Sequence, residues 1–456
     1  MTTRGHDIQQ EGYWQRIWRR FESDGFGRWA LRMLLALFVL AALTPFLANS
    51  HALVRIDHGH PEFPIFRTLE PIEWRFLIYV PLAGLVFLGR RWFLRSPRLD
   101  LGMFVLLAIV VGLLACVMPT HLTLNPAALI TKSNRFSIAL AIVRPVWLVL
   151  FYGGFLAFAW CNRRAIFRRP GINFTAVFYA VLLVEAFLAN AHPVNDPTND
   201  RNFSGFAIMP PIPYSPTESN PVAQFMPPSL KHLCGTDSTG RDVASRMLHG
   251  ARTSLSIGFV AQSIALLVGV TVGGLAGFYR GWFDIAVCRF IEILDCFPPL
   301  LLILVFISLT DSQNNMFIIM AVIGLTSWTG LARLVRGEFL RLVGQPFPQA
   351  AKALGAGDAH IIVRHLLPNA LGPILVSATF GVAAAILIES SLSFLGFGMQ
   401  APTPSWGDIL NEARGYIDFA WWLAFFPGLA ILITIMSYNF VGEALRDAVD
   451  PRLKLK

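Results

Sequence analysis

The chain has 456 residues, of which 55% are hydrophobic and only 14% are charged. Soluble domains carry about 25% charged residues, so this composition excludes an ordinary soluble domain and indicates a polytopic membrane protein. The formal net charge of +9 does not by itself indicate nucleic-acid binding, because basic residues also set the topology of membrane spans. The five cysteines form no CxxC pair, so neither a disulfide framework nor a zinc site is indicated.

Residues 1–28 are polar and basic, with Trp14, Ile17, Trp18 and Phe21 at helical spacing. This pattern predicts an amphipathic helix that lies on the cytoplasmic surface of the membrane. About 28 residues precede the first apolar run, which is long enough to be a span, so no cleavable signal peptide is indicated. Span 1 is predicted at 29–47, and 29–69 comprises this span and an outer loop.

Nine further apolar segments follow, and the longer of them are sufficient to cross a hydrocarbon core of about 30 Å. Segment 191–252 differs, because it is rich in Pro and Asn and predicts an extended loop outside the membrane. The predicted spans 2–5 are 74–88, 101–118, 138–160 and 174–190. The predicted spans 6–10 are 253–278, 284–309, 316–332, 371–394 and 421–441.

Counting basic residues tests the topology of these ten spans. With the N-terminus inside, the cytoplasmic segments carry 24 Lys and Arg residues and the outer segments carry 10. The excess on one side predicts an all-α membrane protein of about ten spans with both termini in the cytoplasm. It also places the loop 333–370 inside and the Pro-rich segment 191–252 outside.

A polar, helix-prone stretch, QAAKALGAGDAHIIVRHLLP at 349–368, lies between two apolar segments. Alanines favour a short helix, which Gly355 can end in a left-handed turn. A second helical run at 360–367 is predicted to close at Pro368. This helix-turn-helix indicates a docking element for a soluble partner, and the alternative is a plain connecting loop.

From about residue 222 to the end, the chain resembles the permease of ATP-binding-cassette importers of the dipeptide, oligopeptide and nickel group. It looks like the second of their two permease subunits. Four blocks carry the resemblance, in family order and at family-like spacing. They are HLCGTDSTGRDVASRMLHGARTSLSIG at 232–258, RFIEILDCFPPLLL at 289–302, the loop 333–370 with Arg333 and Arg336, and ESSLSFLGFGMQAPTPSWGDIL at 389–410.

The resemblance implies a type I permease core of one span before the outer loop and five after it. Span 1 and its flank are most similar to the microcin-C-type peptide permeases. The segment 70–190 is then an insertion of four spans in the outer loop, and 253–456 is the permease core. An even number of inserted crossings leaves the core topology unchanged, although the insertion could instead be a separate interaction module.

The resemblance also implies partners: a second homologous permease, two ATPase subunits, a periplasmic solute-binding protein and the lipid bilayer of the bacterial inner membrane. No GxxxxGK[ST] phosphate loop is present, so this chain is expected to bind no cofactor and to leave ATP hydrolysis to a partner. Gln349 replaces the family's usual Glu and removes a charge. The implied residues of contact with the ATPase are Gln349, Ala350, Ala351, Gly355, His365 and Pro368.

Two further sites are expected on or near the outer side. Glu389 in span 9 is interpreted either as a group on the translocation path or as a structural hydrogen-bonding group, because a carboxylate in a span must face protein or water. The GTDSTGRD block is interpreted as the periplasmic entry to span 6, where Ser238 or Asp237 can cap the helix and Arg241 can pair nearby. The block comprises Gly235, Thr236, Asp237, Gly240, Arg241 and Asp242.

Other patterns leave alternatives open. The outer group His51, Asp57, His58 and His60 has metal-ligand types but no fixed fourth ligand, so solvated polar residues are favoured over a metal site. The glycines of span 6 are expected at a subunit interface. A secondary transporter or channel would need paired repeats, and a membrane enzyme would need converging acidic or His residues; neither is evident. The substrate is expected to be peptide-like, with nickel or another small solute as the alternative.

Overall fold

The computed structural model describes residues 13–57, 60–65, 206–309, 316–399 and 402–450, together with the single positions 69, 73 and 77. Predicted spans 2–5 lie outside these residues, apart from position 77 in span 2. The four-span insertion and the total of ten spans therefore stay predictions.

Within the described residues the chain is mainly helical, and α3 lies at the centre, where it packs against α2, α6, α7 and α10. In chain order the helices are α1 (Tyr13–Ser23), α2 (Gly25–Leu47), α3 (Val243–Tyr279), α4 (Gly281–Asp295), α5 (Pro299–Leu309), α6 (Met316–Thr326), α7 (Trp328–Val343), α8 (Pro346–Ala353), α9 (Asp358–Ile361), α10 (Leu367–Phe394), α11 (Trp406–Ala413) and α12 (Trp422–Val449).

Six candidate spans are found among the described residues. Helices α2, α3 and α12 and the joined run from α9 to α10 are each long and apolar enough to cross a membrane. The pairs α4–α5 and α6–α7 qualify as two further spans, each bent in the middle. The one-plus-five arrangement implied by the resemblance therefore agrees with the number of candidate spans in the described core.

The N-terminal helix α1 does not leave its apolar face free for the membrane surface. Ile17 and Phe21 are buried against Ala444 and Ala448 of α12, and the Arg20 side chain donates to the Asp450 carbonyl at 3.3 Å. The amphipathic pattern does form a helix, but its apolar stripe is used for packing within the chain. The position of α1 at the membrane surface stays a prediction.

The segments predicted to lie outside contain a small antiparallel sheet that the sequence pattern did not indicate. Its strands are β1 (Val54–Asp57), β2 (His60–Glu62) and β3 (Ala207–Ile208), in the order β2-β1-β3. Strand β1 follows α2 in the chain, and it pairs with β3, which lies in the segment before α3. The Pro-rich segment 191–252 is also shorter than predicted, because residues from Val243 onward already belong to α3.

The glycines of α3 pack closely against helices of the same chain, which fill the space beside them. A Cβ atom on Gly273 would clash with the Ala332 carbonyl oxygen, and one on Gly277 would lie 2.7 Å from the Arg336 carbonyl oxygen. Small residues allow helix backbones to approach closely, and here that approach joins α3 to α7. The expected subunit interface is therefore wrong for these positions.

Predicted span 7 is not one helix. Helices α4 and α5 meet at an angle of 84° after a break at 296–298. Pro298 and Pro299 cause the break, because proline lacks the N–H donor and its ring clashes with the preceding turn, whereas Pro299 suits the first position of the next helix. Proline is thus a local stop inside an otherwise continuous apolar run.

Predicted span 8 is also bent, by 42° at Ser327 between α6 and α7. Thr326 donates its hydroxyl to the carbonyl oxygens of Val322 and Ile323, at 2.8 and 3.0 Å, and such bonds compete with the helix backbone. Helix α7 then continues to Val343, so the first third of the predicted loop 333–370 is helix.

Candidate functional site

Helix α8 ends in the left-handed turn that the sequence predicts. Gly355 has φ of +82°, a region that glycine adopts without strain. Its N–H donates to the Lys352 carbonyl, and the N–H of Ala356 donates to the Ala351 carbonyl, both at 3.0 Å. These two bonds are the Schellman pattern, which satisfies the open carbonyl groups at a helix end.

The second half of the element does not close at Pro368, so that prediction is wrong. Helix α9 passes through one π-helical turn at Ile362–Leu366 and continues into α10. Pro368 lies in the first turn of α10, where the missing N–H costs little. The wider turn shifts the bonding register, so that the Leu367 N–H donates to the Ile362 carbonyl.

A buried apolar cluster packs against α8 and the turn that follows it. Its members come from α7 on one side and from α9 and α10 on the other, and Ala351 and Ala356 pack against it. The cluster therefore holds α8 at a defined place relative to two spans. It consists of Leu331, Val335, Phe339, Leu342, Ile361, Leu366, Ala370 and Ile374.

The opposite surface of the element is open. Leu354, at the tip of the turn, has 89% of its surface exposed, and Gln349, Ala350 and Gly355 are exposed as well. The Gln349 side chain donates a long hydrogen bond of 3.5 Å to the Gly344 carbonyl. The other residues expected to contact an ATPase are less accessible: Ala351 faces inward, and His365 and Pro368 are half-buried.

Arg333 and Arg336, which belong to the resemblance at this loop, contact α4. Arg336 is paired with Asp284 through two bonds, of which the one from Nη2 is 2.7 Å. Arg333 Nη2 lies 2.6 Å from an Asp295 oxygen, although both side chains are partly exposed. These arginines therefore tie α7 to α4, the first half of a bent pair.

Asp237 organises the turn before α3, which the basic-residue count predicts to lie outside. One carboxylate oxygen accepts the backbone N–H groups of Thr239 and Arg241, both at 2.9 Å. The other accepts Arg241 Nε at 2.6 Å and also bonds Arg246. Gly240 has φ of +76°, and a Cβ there would clash with the Asn220 carbonyl oxygen, so only glycine fits.

The turn does not cap α3 through Ser238 or Asp237, and the predicted cap is therefore corrected. Asp242 is the cap, since its carboxylate accepts the Ser245 N–H at 2.8 Å and its other oxygen lies 2.8 Å from His232 Nδ1. Ser238 instead donates its N–H to Glu412 of α11 at 2.9 Å. Arg241 does pair nearby, with Asp237 as the partner.

Arg246 joins this turn to α11, and its role was not recognised from the sequence. Its side chain is 2% exposed and bonds Asp237, Glu412 at 2.6 Å and Asp408 at 2.8 Å. We call Asp237, Arg241, Arg246, Asp408 and Glu412 the outer polar cluster. It connects two of the sequence blocks, 232–258 and 389–410, through three carboxylates and two guanidinium groups.

The acidic members of the outer polar cluster differ in their ionisation. Burial alone would raise the pKa of the Asp237 carboxyl group, but Arg246 and Arg241 outweigh it and hold that pKa below its usual value. At Asp408 burial dominates, and Glu412 adds to it, so the pKa is raised in spite of Arg246. The fold therefore favours the charged form of Asp237 and disfavours the charged form of Asp408.

This difference predicts unequal effects of two isosteric substitutions. Asp237→Asn should lower the free energy of unfolding by about 2–3 kcal/mol, whereas Asp408→Asn should change it by less than about 1 kcal/mol. Thermal unfolding of the detergent-solubilised variants at pH 7 measures both. Because the pKa of Asp237 is depressed, its stabilisation is complete at pH 7 and is lost only as the pH falls below its ordinary value of 3.8. Equal losses in both variants would contradict the assignment.

Glu389 lies in α10 and is fully buried. Ser393 donates to one carboxylate oxygen at 2.8 Å, and Ser254 of α3 and Ser390 approach the other at 3.4 Å. Ser254 in turn accepts the Trp406 N–H at 3.2 Å. The carboxylate thus sits among hydroxyl groups that link α10 to α3 and to the start of α11.

The outer His and Asp residues that the structure describes lie in and before the small sheet. Asp57 and His60 are cross-strand partners of β1 and β2, and His51 is buried at some distance along the chain, while His58 lies outside the described residues. Among the residues that the structure describes, no group of three or more His, Cys, Asp or Glu side chains is placed to hold a metal ion.

The chain is similar in sequence to known membrane transport proteins. A family model described as "Binding-protein-dependent transport system inner membrane component" matches residues 269–455. The chain is 41% identical over 238 residues to the dipeptide transport system permease protein DppC of Alkalihalophilus pseudofirmus, covering 77% of that protein and 52% of this chain. The chain belongs to the permease subunits of ATP-binding-cassette importers. The glutathione transport system permease protein GsiD of Pectobacterium atrosepticum is 40% identical over 227 residues, covering 75% of that protein and 50% of this permease.

Family membership confirms several expectations from the sequence. The permease is a multi-pass protein of the inner membrane, it is part of a transporter with ATPase subunits that hydrolyse ATP, and it is not itself an enzyme. Because most of the relative aligns with about half of this permease, this permease is the longer of the two. That the extra length is an insertion at 70–190 stays a prediction.

Proposed function

We propose that this permease forms one half of the translocation path of an importer for peptides or peptide-like solutes. A second homologous permease forms the other half, two ATPase subunits bind from the cytoplasm, and a periplasmic solute-binding protein meets the outer surface formed by 191–252 and 395–420. The observation that carries the proposal is the exposed α8 turn on its buried apolar support. The names of the relatives, which transport dipeptides and glutathione, support the peptide class.

In this proposal the α8 turn transmits the movement of the ATPase to the spans. The apolar cluster beneath it contains residues of α7 and α10, so a displacement of α8 reaches two spans through packed side chains. Gln349 offers an amide where the family usually has a carboxylate, so docking at that position relies on hydrogen bonds and not on a salt bridge.

A second part of the proposal concerns Glu389. We assign it a structural role, because its carboxylate is enclosed by hydroxyl groups of α3 and α10 and is buried within a single chain. A role in contacting the solute is the alternative. Glu389→Gln retains the size and the hydrogen-bonding capacity of the side chain. If the role is structural, the variant should transport the same solutes and should have lower thermal stability.

Gly355 provides a test of the α8 turn. No atom lies within 4 Å of the position of an added Cβ, so any effect of a substitution comes from the positive φ or from docking. We expect Gly355→Val to reduce uptake of a labelled dipeptide at least about fivefold, because a β-branched residue is strained by about 1–2 kcal/mol or more in the left-handed region. Gly355→Asn should retain most of the uptake, since Asn adopts that region readily.

The measurement uses the complete transporter in proteoliposomes, with ATP on the side of the ATPase subunits and the binding protein on the other side. Uptake that does not depend on ATP would favour a secondary transporter or channel. Uptake of nickel without competition by dipeptides would favour the metal-transporting relatives of the family. If the Val and Asn variants behave alike, the geometry of the α8 turn is not what couples the subunits.

A further inference from the structure

Arg252 is a buried cation in the central helix. It lies in α3, which is a candidate span, and its side chain is 7% exposed. A charged group in a membrane-spanning helix is costly unless it faces water or a partner of opposite charge. The acidic residue that pairs with Arg252 therefore shows which other part of the chain is held against α3 at this position.

That partner is Glu73, which is 179 residues away in the chain. Arg252 Nη1 lies 2.6 Å from Glu73 Oε1, and the Glu73 side chain is 9% exposed. His249, one turn earlier on α3, places Nε2 at 3.9 Å from the same oxygen and bonds the Ser245 carbonyl through Nδ1 at 3.0 Å. Glu73 is thus held in a site formed by two residues of one face of α3.

The described positions on either side of Glu73 are themselves buried or half-buried. Ile65 and Leu69 are buried, with 1% and 3% of their surface exposed, and Glu73 follows at the same spacing of four. Leu77, at the next such position, is half-buried. Glu73 consequently lies in a packed row, and its carboxylate is not a chance contact of a solvated side chain.

We propose that the Glu73–Arg252 ion pair is the anchor that fastens the start of the extra segment 70–190 to the central helix of the permease. The anchor is close to other contacts that hold the outer part of α3, including Thr44 of α2, whose hydroxyl donates to the Leu248 carbonyl at 3.2 Å. Arg246 lies further out on the same helix. The ion pair therefore lies on the part of α3 that also contacts α2 and α11.

A charge swap tests the anchor in the complete transporter. Glu73→Arg and Arg252→Glu each leave two like charges in a buried site, so each should lower the temperature of half-unfolding by about 5 °C or more and reduce uptake at least about tenfold. The double variant restores opposite charges and should recover most of both losses. Glu62→Arg is the matched control, because Glu62 pairs with Arg55 at 2.8 Å but is 31% exposed, and it should have little effect.

Cross-linking gives a second readout that does not depend on stability. In a background without the native cysteines, Glu73→Cys with Arg252→Cys should be joined by a short thiol-specific cross-linker in membranes, whereas Glu62→Cys with Arg252→Cys should not. A double charge-swap variant that is no better than the single variants would overturn the proposal. So would single variants that behave like the wild-type protein, or a cysteine pair that transports normally and fails to cross-link.

Discussion

Replacing Arg246 by Met is expected to lower the free energy of unfolding by about 3–5 kcal/mol, the range found when one partner of a buried ion pair is removed. The guanidinium group bonds Asp237, Asp408 and Glu412. Its loss removes the cation that joins all three carboxylates and leaves Arg241 to pair with Asp237 and Glu412. Met retains an unbranched apolar stem and removes the guanidinium group. The effect is therefore due mainly to the charge and the hydrogen bonds.

Arg289→Met is the matched control. Arg289 also forms an ion pair at 2.6 Å, with Glu292, but its side chain is 73% exposed, and exposed pairs contribute about 0–1 kcal/mol. Thermal unfolding of both variants, purified with their partner subunits, compares the two sites. A similar shift in both would mean that the outer polar cluster does not hold α11 against the turn before α3.

Replacing Leu354 by Ser is expected to weaken binding of the ATPase subunit about tenfold or more while leaving the permease folded. Leu354 is 89% exposed at the tip of the α8 turn and so contributes little to the fold of the isolated chain. Burying a leucine side chain at an interface provides about 1.5–3 kcal/mol, and about 1.4 kcal/mol corresponds to a factor of ten in affinity. The loss should therefore appear in association and not in stability.

Leu230→Ser is the control for that variant, because Leu230 is 99% exposed and lies in the outer segment before α3. Quantitative co-purification of the ATPase with each tagged permease, together with the melting temperature of the permease alone, separates docking from folding. If Leu354→Ser binds the ATPase as well as Leu230→Ser does, the tip of the α8 turn is not part of the docking surface.

The core spans could be predicted from the sequence because a long apolar run with few charges is stable mainly as a helix inside a bilayer. All six predicted core spans coincide with candidate spans, although the structure breaks two of them. The left-handed end of α8 was predictable as well, because Gly355 follows an alanine-rich helix and glycine adopts that conformation without strain. These features are local, and neighbouring residues suffice to specify them.

The outer polar cluster could not be predicted in the same way. The residues Asp237, Arg241 and Asp242 were recognised from their block, but Arg246 is one basic residue near the start of an apolar helix. Its partners Asp408 and Glu412 are more than 160 residues away. The resemblance provided a signal, since both regions belong to family blocks, yet it did not indicate that the two blocks are in contact.

The sequence by itself therefore determined the class of protein, the core spans, their expected orientation by charge and the left-handed end of α8, because composition and spacing act over a few turns of chain. Only the tertiary structure decided which buried charges meet, as at Arg246 and at the Glu73–Arg252 pair, where α1 packs, and how α9 continues through Pro368. Periodicity identifies which face of a helix is buried, but the partner on that face depends on how distant segments pack together.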